Sequence, residues 1–152
     1  MKSMHNTGCT NSKTKLIDSW VWNGEVSDYV KDKVKGYSLN VCAGKSKIGD
    51  VKIDLDPQDK SVIKGDMREL KFKDNTFDCV IQDPPWKIGF YQRMKPFFEC
   101  VRVCKVGGII IYNAYWIPTS KYTKLKECII RQDTDWSNTS IISIFEKVGD
   151  IK

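Results

Sequence analysis

The chain has 152 residues, of which 41% are hydrophobic and 29% charged, and it carries a formal net charge of +6. This length suits one compact domain, and the composition is globular, which excludes a disordered or fibrous chain. No apolar run is long enough to cross a bilayer, and the polar first residues lack the apolar core of a secretory signal. We therefore expect a cytoplasmic protein that does not bind membranes.

The cysteine and histidine content argues against a metal site. There are six cysteines but no C-x-x-C pair, and His5 is the single histidine. Zinc sites need paired ligands at short spacing. Cys42 and Cys79 lie in apolar runs, where a free thiol behaves as a small hydrophobic side chain. We expect no bound metal.

The pattern of apolar and polar residues divides the chain into two parts. In residues 1–36 a polar start of about fifteen residues, expected to be loose, precedes apolar positions at helical spacing from Leu16 to Val34, which Gly24 interrupts. After Gly36 short apolar segments bounded by turn residues begin. We predict an N-terminal helical or loose segment over 1–36 and an α/β domain over 37–152.

Strands and helices are predicted to alternate in the second part. The predicted strands are 38–42, 51–55, 61–63, 77–81, 109–112 and 141–145, and the predicted helices are 90–106 and 122–131. Such alternation favours a mostly parallel, Rossmann-like sheet. Only residues 43–50 join the first two strands, and eight extended residues reach roughly 26–29 Å. That is enough to cross back along a short strand without the usual helix.

Glycine and carboxylates follow the predicted strands. Gly44 follows the first strand, Asp54 lies at the end of the second, and Asp66 and Asp83 follow later strands. In open α/β sheets, ligands bind at the carboxyl ends of the strands. We therefore expect these side chains to surround a ligand.

The tetrapeptide Asp83-Pro84-Pro85-Trp86 follows the strand over 77–81. Two prolines fix φ and remove two backbone donors, so the nearby carbonyls are left as acceptors in a stiff segment. With the Asp83 carboxylate, they could grip both hydrogens of an exocyclic amine and free its lone pair for attack. Trp86 offers a face on which a flipped base could stack. Methyl transfer from a sulfonium suits a chain with no Ser/His/Asp set and no metal cluster.

Three segments together resemble a known family. They are 39–44 with 51–57, 65–72 with 74–78, and 79–86. The chain resembles the S-adenosylmethionine-dependent amino-methyltransferases, and within them the DNA adenine-N6 methyltransferases, whose signature is Asp/Asn/Ser-Pro-Pro-aromatic. The resemblance covers about Ser38 to Trp116 and implies S-adenosyl-L-methionine as cofactor.

The resemblance also implies roles for individual residues. The catalytic set would be Asp83, Pro84, Pro85 and Trp86. The cofactor would be bound by the loop Cys42, Ala43 and Gly44, by Asp54 at the ribose hydroxyls, by Asp66 and the Met67 backbone at its adenine, and by Asp83. Asp56 lies on the same face as Asp54 and is the alternative ribose ligand. The first motif departs from the family, because it lacks the usual G-x-G-x-G and has only Gly44 and Gly49.

The charge distribution indicates the kind of partner. Residues 87–131 contain nine lysines and arginines against Glu99 and Glu127. A basic stretch beside the site favours a nucleic acid, DNA before RNA, with Lys87, Arg93 and Lys95 as candidate contacts. The alternative is that these side chains line ordinary solvated faces. Since the catalytic fold takes up the chain, a partner subunit or a second copy is expected to help recognise the target.

Other functions stay open at this point. The same tetrapeptide could serve an amine in RNA or a glutamine side chain in a protein. A non-catalytic nucleic-acid-binding module with a degenerate cofactor pocket is a further alternative, favoured by the unusual first motif and opposed by the intact tetrapeptide.

Overall fold

The computed structural model describes residues 2–5, 24–85, 92–133 and 138–151. They form eight strands and two helices. The strands are β1 (Lys2–His5), β2 (Ser38–Val41), β3 (Val51–Asp54), β4 (Ile63–Lys64), β5 (Phe77–Gln82), β6 (Cys104–Ala114), β7 (Thr123–Asp133) and β8 (Asn138–Lys147). The helices are α1 (Gly24–Lys33) and α2 (Met94–Val103).

All eight strands join one sheet in the order β1-β7-β8-β6-β5-β2-β3-β4. β8 runs antiparallel to both of its neighbours, and the other neighbouring pairs are parallel. The mostly parallel Rossmann-like α/β fold is therefore confirmed. Residues 42–50, between β2 and β3, contain turns but no helix, as expected from the length of this connection.

Each face of the sheet is covered by one of the helices. α2 packs Phe97, Cys100 and Val101 against a cluster that includes Val80 and Tyr112. On the opposite face, α1 contributes Val26 and Val30 to a cluster built from the following strand residues: Cys79, Ile81, Ile111, Ile142 and Ile144. β5 lies between the two helix layers and is almost wholly buried, so the segment that follows it starts from a rigid base.

One predicted helix is wrong. Residues 122–131 were expected to be helical, but Thr123–Asp133 form the strand β7. Leu125, Cys128 and Ile129 have the i, i+3, i+4 spacing of a helix face. The structure explains this spacing, because the register with β8 shifts between Leu125 and Glu127. A β-bulge breaks the alternation of a strand and imitates a longer period.

The amino-terminal part agrees only in part with expectation. Lys2–His5 pair in parallel with β7 rather than forming a loose start, because the edge of β7 offers backbone donors and acceptors. α1 begins at Gly24, inside the predicted helical stretch. The rest of that stretch, residues 16–23, lies outside the described residues.

A buried lysine fastens the end of β8. Lys147 is 1% exposed, and its Nζ donates to Asn75 Oδ1 at 2.8 Å and to the Cys104 carbonyl at 2.8 Å. It also lies 2.9 Å from Asp150 Oδ1. The three acceptors compensate for the loss of water around the ammonium group.

We expect Lys147→Met to lower the free energy of unfolding by about 2–4 kcal/mol, because buried acceptors would lose their donor. Urea denaturation followed by circular dichroism measures the change. Lys126→Met is the matched control, since Lys126 pairs with Glu146 at the surface and such pairs contribute about 0–1 kcal/mol. Equal effects of the two substitutions would contradict the prediction.

Candidate functional site

The loop after β2 lies at the carboxyl end of the sheet. Cys42 and Gly44 both have positive φ, 59° and 51°. Gly44 is buried, and glycine takes this conformation without the steric cost that a side chain adds. Ala43 N–H donates to the Ile53 carbonyl at 3.0 Å, which ties the loop to β3.

Asp54 connects the end of β3 to this loop. Its Oδ2 accepts the Gly44 N–H at 2.8 Å, and its Oδ1 accepts the Asp56 N–H at 3.0 Å. A carboxylate has about four acceptor positions, so each oxygen keeps capacity for a hydroxyl donor. Asp56 is exposed, and its Oδ2 accepts a hydrogen bond from Gln58 Nε2 at 3.1 Å. This geometry favours Asp54 over Asp56 as the side chain that faces a ligand beside the loop.

Cys42 marks the place where the predicted site residues meet. Its Sγ lies 3.4 Å from Met67 Sδ. Burial raises the pKa of the Cys42 thiol, and the nearby negative charges of Asp54, Asp83 and Asp66 raise it further. The structure thus brings three predicted carboxylates to one loop, and Cys42 remains a neutral thiol at neutral pH.

Asp66 is held by the residue two positions later. Arg68 donates to Asp66 Oδ1 from Nε at 3.0 Å and to Oδ2 from Nη2 at 2.7 Å. These side-chain hydrogen bonds, with one from the Arg68 backbone, lower the pKa of Asp66 to about 2. Asp66 is therefore anionic at neutral pH, and its role in reading the cofactor's adenine, together with Met67, stays a prediction.

The proline segment leaves the sheet directly after β5. Asp83 is half-buried, Pro84 is buried and Pro85 is exposed. Asn113 Nδ2 donates to Asp83 Oδ1 at 2.8 Å. The Asp83 side chain is thus anchored to the carboxyl end of β6. Trp86 and Lys87, which were also predicted to act here, lie outside the described residues.

A pocket opens beside the prolines. It is open to solvent and is lined by Pro84, Pro85, Arg93, Tyr112, Asn113, Ala114, Tyr115 and Trp116. Tyr112 packs edge-on against Trp116, with ring centroids 6.0 Å apart. The Arg93 guanidinium lies 4.5 Å from the centroid of the Trp116 ring. Aromatic faces and a stacked guanidinium suit a planar ring.

Sequence reasoning missed the pocket residues of β6 and the turn after it. Asn113, Tyr112, Tyr115 and Trp116 were not predicted to be functional. A signal was present, because the buried strand over 109–112 ends in the polar and aromatic run Asn113-Ala-Tyr-Trp116, which is unusual for a turn. The strand that contains this run, β6, pairs with β5, and the proline segment follows β5.

The basic stretch is partly neutralised by the fold. Arg102 pairs with Glu99 and Asp74, Lys105 with Asp78, and Lys126 with Glu146. Of the predicted nucleic-acid contacts, Arg93 lies at the pocket and Lys95 is exposed on the first turn of α2. The linear charge excess therefore overstates the positive charge that faces solvent.

The residues of this site fit S-adenosylmethionine. The cofactor carries a positive sulfonium and two ribose hydroxyls, so it needs negative charge and acceptors rather than a phosphate-binding helix N-terminus. Asp54 supplies acceptor capacity beside the Gly44 loop, and Asp54, Asp66 and Asp83 supply negative charge around Cys42.

Two other features, a metal site and a membrane-spanning helix, are absent from the described part of the chain. It contains no group of three or more histidine, cysteine, aspartate or glutamate side chains that could hold a metal ion. Nor does any described helix have the length and apolar character needed to span a membrane.

A model of a known protein family matches residues 23–112, which is more than half of the chain, and its description is "Methyltransferase domain". The match includes α1, β2 to β5, α2 and most of the strand that carries Tyr112. No curated protein sequence is significantly similar to this chain.

Solved structures with the same fold include several methyltransferases. A protein from Pyrococcus horikoshii OT3 is 17% identical, with 80% of this chain and 87% of that chain covered and a TM-score of 0.60. A SAM-dependent methyltransferase from Methanosarcina mazei is 11% identical, with 79% and 97% covered and a TM-score of 0.59. The N-methyltransferase NodS from Bradyrhizobium japonicum WM9 is 10% identical, with 74% and 85% covered and a TM-score of 0.56. At these identities the similarity shows the fold alone.

Proposed function

This chain belongs to the methyltransferase domain family, and from that premise we propose that it uses S-adenosylmethionine to methylate an exocyclic amine, N6 of adenine in DNA. The observation that carries the proposal is the Asp83 carboxylate, which Asn113 anchors beside a pocket lined by prolines and aromatic rings. This arrangement combines an acceptor for amine hydrogens with faces for a planar base.

The protein's own groups have separate tasks in this reaction. The bound cofactor supplies an electrophilic methyl group on a sulfonium. Asp54 and the Gly44 loop hold the ribose end, and the carboxylates around Cys42 favour the positive charge. Asp83 accepts a hydrogen bond from an N–H group of the amine. The nitrogen lone pair is then no longer delocalised into the ring and points at the methyl carbon. The methyl group would pass to the nitrogen while the electron pair of its bond to sulfur stayed on sulfur, and the proton released by the methylated amine would pass to water in the open pocket.

The pocket supports a planar acceptor. Tyr115 is about half exposed, and the Arg93 guanidinium stacks on Trp116, so an aromatic ring and a planar cation both line the pocket. Stacking on aromatic side chains contributes about 1–3 kcal/mol per base and tolerates any base. The specificity for an amine then comes from Asp83, and selection of a target sequence would fall to a partner subunit or a second copy of the chain.

Two alternative acceptors share this chemistry, an amine in RNA and a glutamine side chain in a protein. The aromatic pocket favours a base over a glutamine, because a carboxamide gains little from stacking. The family match favours an enzyme over a non-catalytic nucleic-acid-binding module.

The direct experiment is to incubate the protein with S-adenosylmethionine labelled on its methyl group and a panel of acceptors. The panel contains duplex DNA, single-stranded DNA, transfer RNA, ribosomal RNA and a glutamine-containing protein mixture. Nucleoside and amino-acid analysis identifies the product. We expect N6-methyldeoxyadenosine from DNA. Labelled cytosine, or label at carbon or oxygen atoms, would contradict the proposed amine at N6.

Charge removal tests the proposed nucleic-acid partner. Neutralising Lys87, Arg93 and Lys95 together should weaken DNA binding and reduce the slope of log affinity against log salt by roughly 0.9 for each phosphate that the protein no longer neutralises. The salt dependence of binding is measured by fluorescence anisotropy on a duplex.

The matched control neutralises three lysines at the opposite end of the sheet, Lys31, Lys35 and Lys73. All three are exposed. If the control lowers the slope as much as the first set does, the basic residues near the pocket are not the contacts.

A further inference from the structure

Asn113 and Asp83 are neighbours because of the register of two parallel strands. Gln82 of β5 pairs with Tyr112 of β6, so the next residue of each strand lies side by side. Ile81 and Ile111, two positions earlier, both pack on the α1 face. Strand alternation therefore places the side chains of Asp83 and Asn113 on the same face. Their contact, 2.8 Å from Nδ2 to Oδ1, follows from this placement.

The orientation of the Asn113 carboxamide is determined by its partner. An ionised carboxylate only accepts hydrogen bonds, so the amide must turn its NH₂ group towards Asp83. Its carbonyl oxygen then points away. Asn113 is 2% exposed, and this Oδ1 is buried with no hydrogen-bond partner among the residues that the structure describes. A buried acceptor left unpaired in a native structure calls for an explanation.

We propose that Asn113 both positions Asp83 and binds the acceptor in the methyl transfer: its NH₂ group holds Asp83 as an ionised acceptor, and its carbonyl oxygen receives a hydrogen bond from an N–H of the bound acceptor. This proposal rests on the proposed function. A primary exocyclic amine carries two N–H donors, and two neighbouring acceptors, Asp83 and Asn113, match them.

The electrostatics of the site suit such a donor. The carboxylates of Asp54, Asp66 and Asp83 all act on the Cys42 thiol, so negative charge is concentrated around this loop. Like charges favour the protonated form of a carboxyl group, and a donor to its ionised form opposes that effect. Asn113 provides such a donor at short range. A protonated Asp83 would lose part of its capacity to accept from the amine.

Two substitutions of Asn113 separate positioning from mere packing. Asn113→Leu removes both functions at similar volume, and we expect kcat to fall about ten- to a hundred-fold, the usual effect of losing a hydrogen bond to a charged group, with KM for S-adenosylmethionine within about twofold of the parent. Asn113→Asp keeps the shape but places two carboxyl groups together, which raises the pKa of one of them. The proton that the pair shares then takes the place of the NH₂ donor, so kcat should be highest where the pair keeps one proton and should fall as the pH rises and both carboxyl groups ionise.

Thermal unfolding shows whether each variant is stably folded, and the kinetics of folded variants then test the proposal. A stable Asn113→Asp variant whose kcat falls equally at every pH would overturn the proposal, because a purely structural defect has no such pH dependence. So would a folded Asn113→Leu variant with the parent kcat. In an Asp83→Ala background, Asn113→Leu should lower kcat less than it does in the parent, because only the contact of its carbonyl oxygen remains to be lost, and fully independent, multiplying effects would also overturn the proposal.

A measurement that does not depend on catalysis tests this proposal separately from the proposed function. The carboxyl carbon of Asp83 is followed by ¹³C NMR across the pH range in the parent and in Asn113→Leu. We expect its titration to move to higher pH in the variant, and an unmoved titration would contradict the coupling. If the parent transfers no methyl group to any amine while the titration moves, the proposed function fails but the holding of Asp83 by Asn113 stands.

Discussion

Replacing Asp83 with alanine is expected to lower the rate of methyl transfer about a hundred- to a thousand-fold, the usual cost of one preorganised partner of the transition state. Asp83 accepts from the amine as the nitrogen becomes tetrahedral, so its interaction is stronger in the transition state than in the ground state. Its side chain is half-buried at the end of β5, outside both hydrophobic clusters, so the fold should survive. Most of the cofactor binding should be retained.

Single-turnover kinetics at saturating cofactor measures this effect, with N6-methyldeoxyadenosine as the scored product. Asp78→Ala is the matched control, because Asp78 lies at the other end of β5 and pairs with Lys105. Its rate per folded molecule should equal that of the parent. A folded Asp83→Ala protein that transfers methyl groups at the parent rate would end the amine-methyltransferase interpretation.

The sheet was predictable because its strands follow local patterns. β2, β3, β5 and β8 each combine a short apolar run with flanking turn residues, and all were placed within a few residues of their observed bounds. The absence of a helix between β2 and β3 followed from chain length alone. β7 was not predictable in this way, because its bulge after Leu125 replaces alternation by a helix-like spacing.

The site was predictable where a glycine or a carboxylate lies at the end of a predicted strand. Gly44, Asp54, Asp66 and Asp83 follow strand ends, and parallel strands bring such ends together. Asn113 depends on the register of β6 against β5, which no linear spacing encodes.

The local charge pattern likewise leaves out contacts that only the fold creates. Ion pairs of the basic stretch come from distant segments, as when Asp78 neutralises Lys105 and Asp74 neutralises Arg102. A charge count along residues 87–131 does not include these acidic partners, so it predicts a more basic surface than the fold presents.

Asp54→Ala is expected to weaken S-adenosylmethionine binding by at least about a hundred-fold. Two ribose hydroxyls would each lose a charged acceptor, and hydrogen bonds to charged groups contribute about 1.5–3 kcal/mol each. The substitution also removes the acceptor of the Gly44 N–H, which holds the loop beside β3 at 2.8 Å. Loosening that loop adds an ordering cost to binding.

Asp56→Ala is the matched control, with the same residue type two positions later. Asp56 is exposed and its carboxylate binds Gln58, so the variant should bind the cofactor as the parent does. Asp54→Asn keeps the shape and one acceptor oxygen, and its affinity should lie between those of the parent and Asp54→Ala. Isothermal calorimetry measures all four proteins. If Asp56→Ala abolishes binding while Asp54→Ala leaves it unchanged, the ribose is held two residues further along, and Asp54 serves only to tie the Gly44 loop to the sheet.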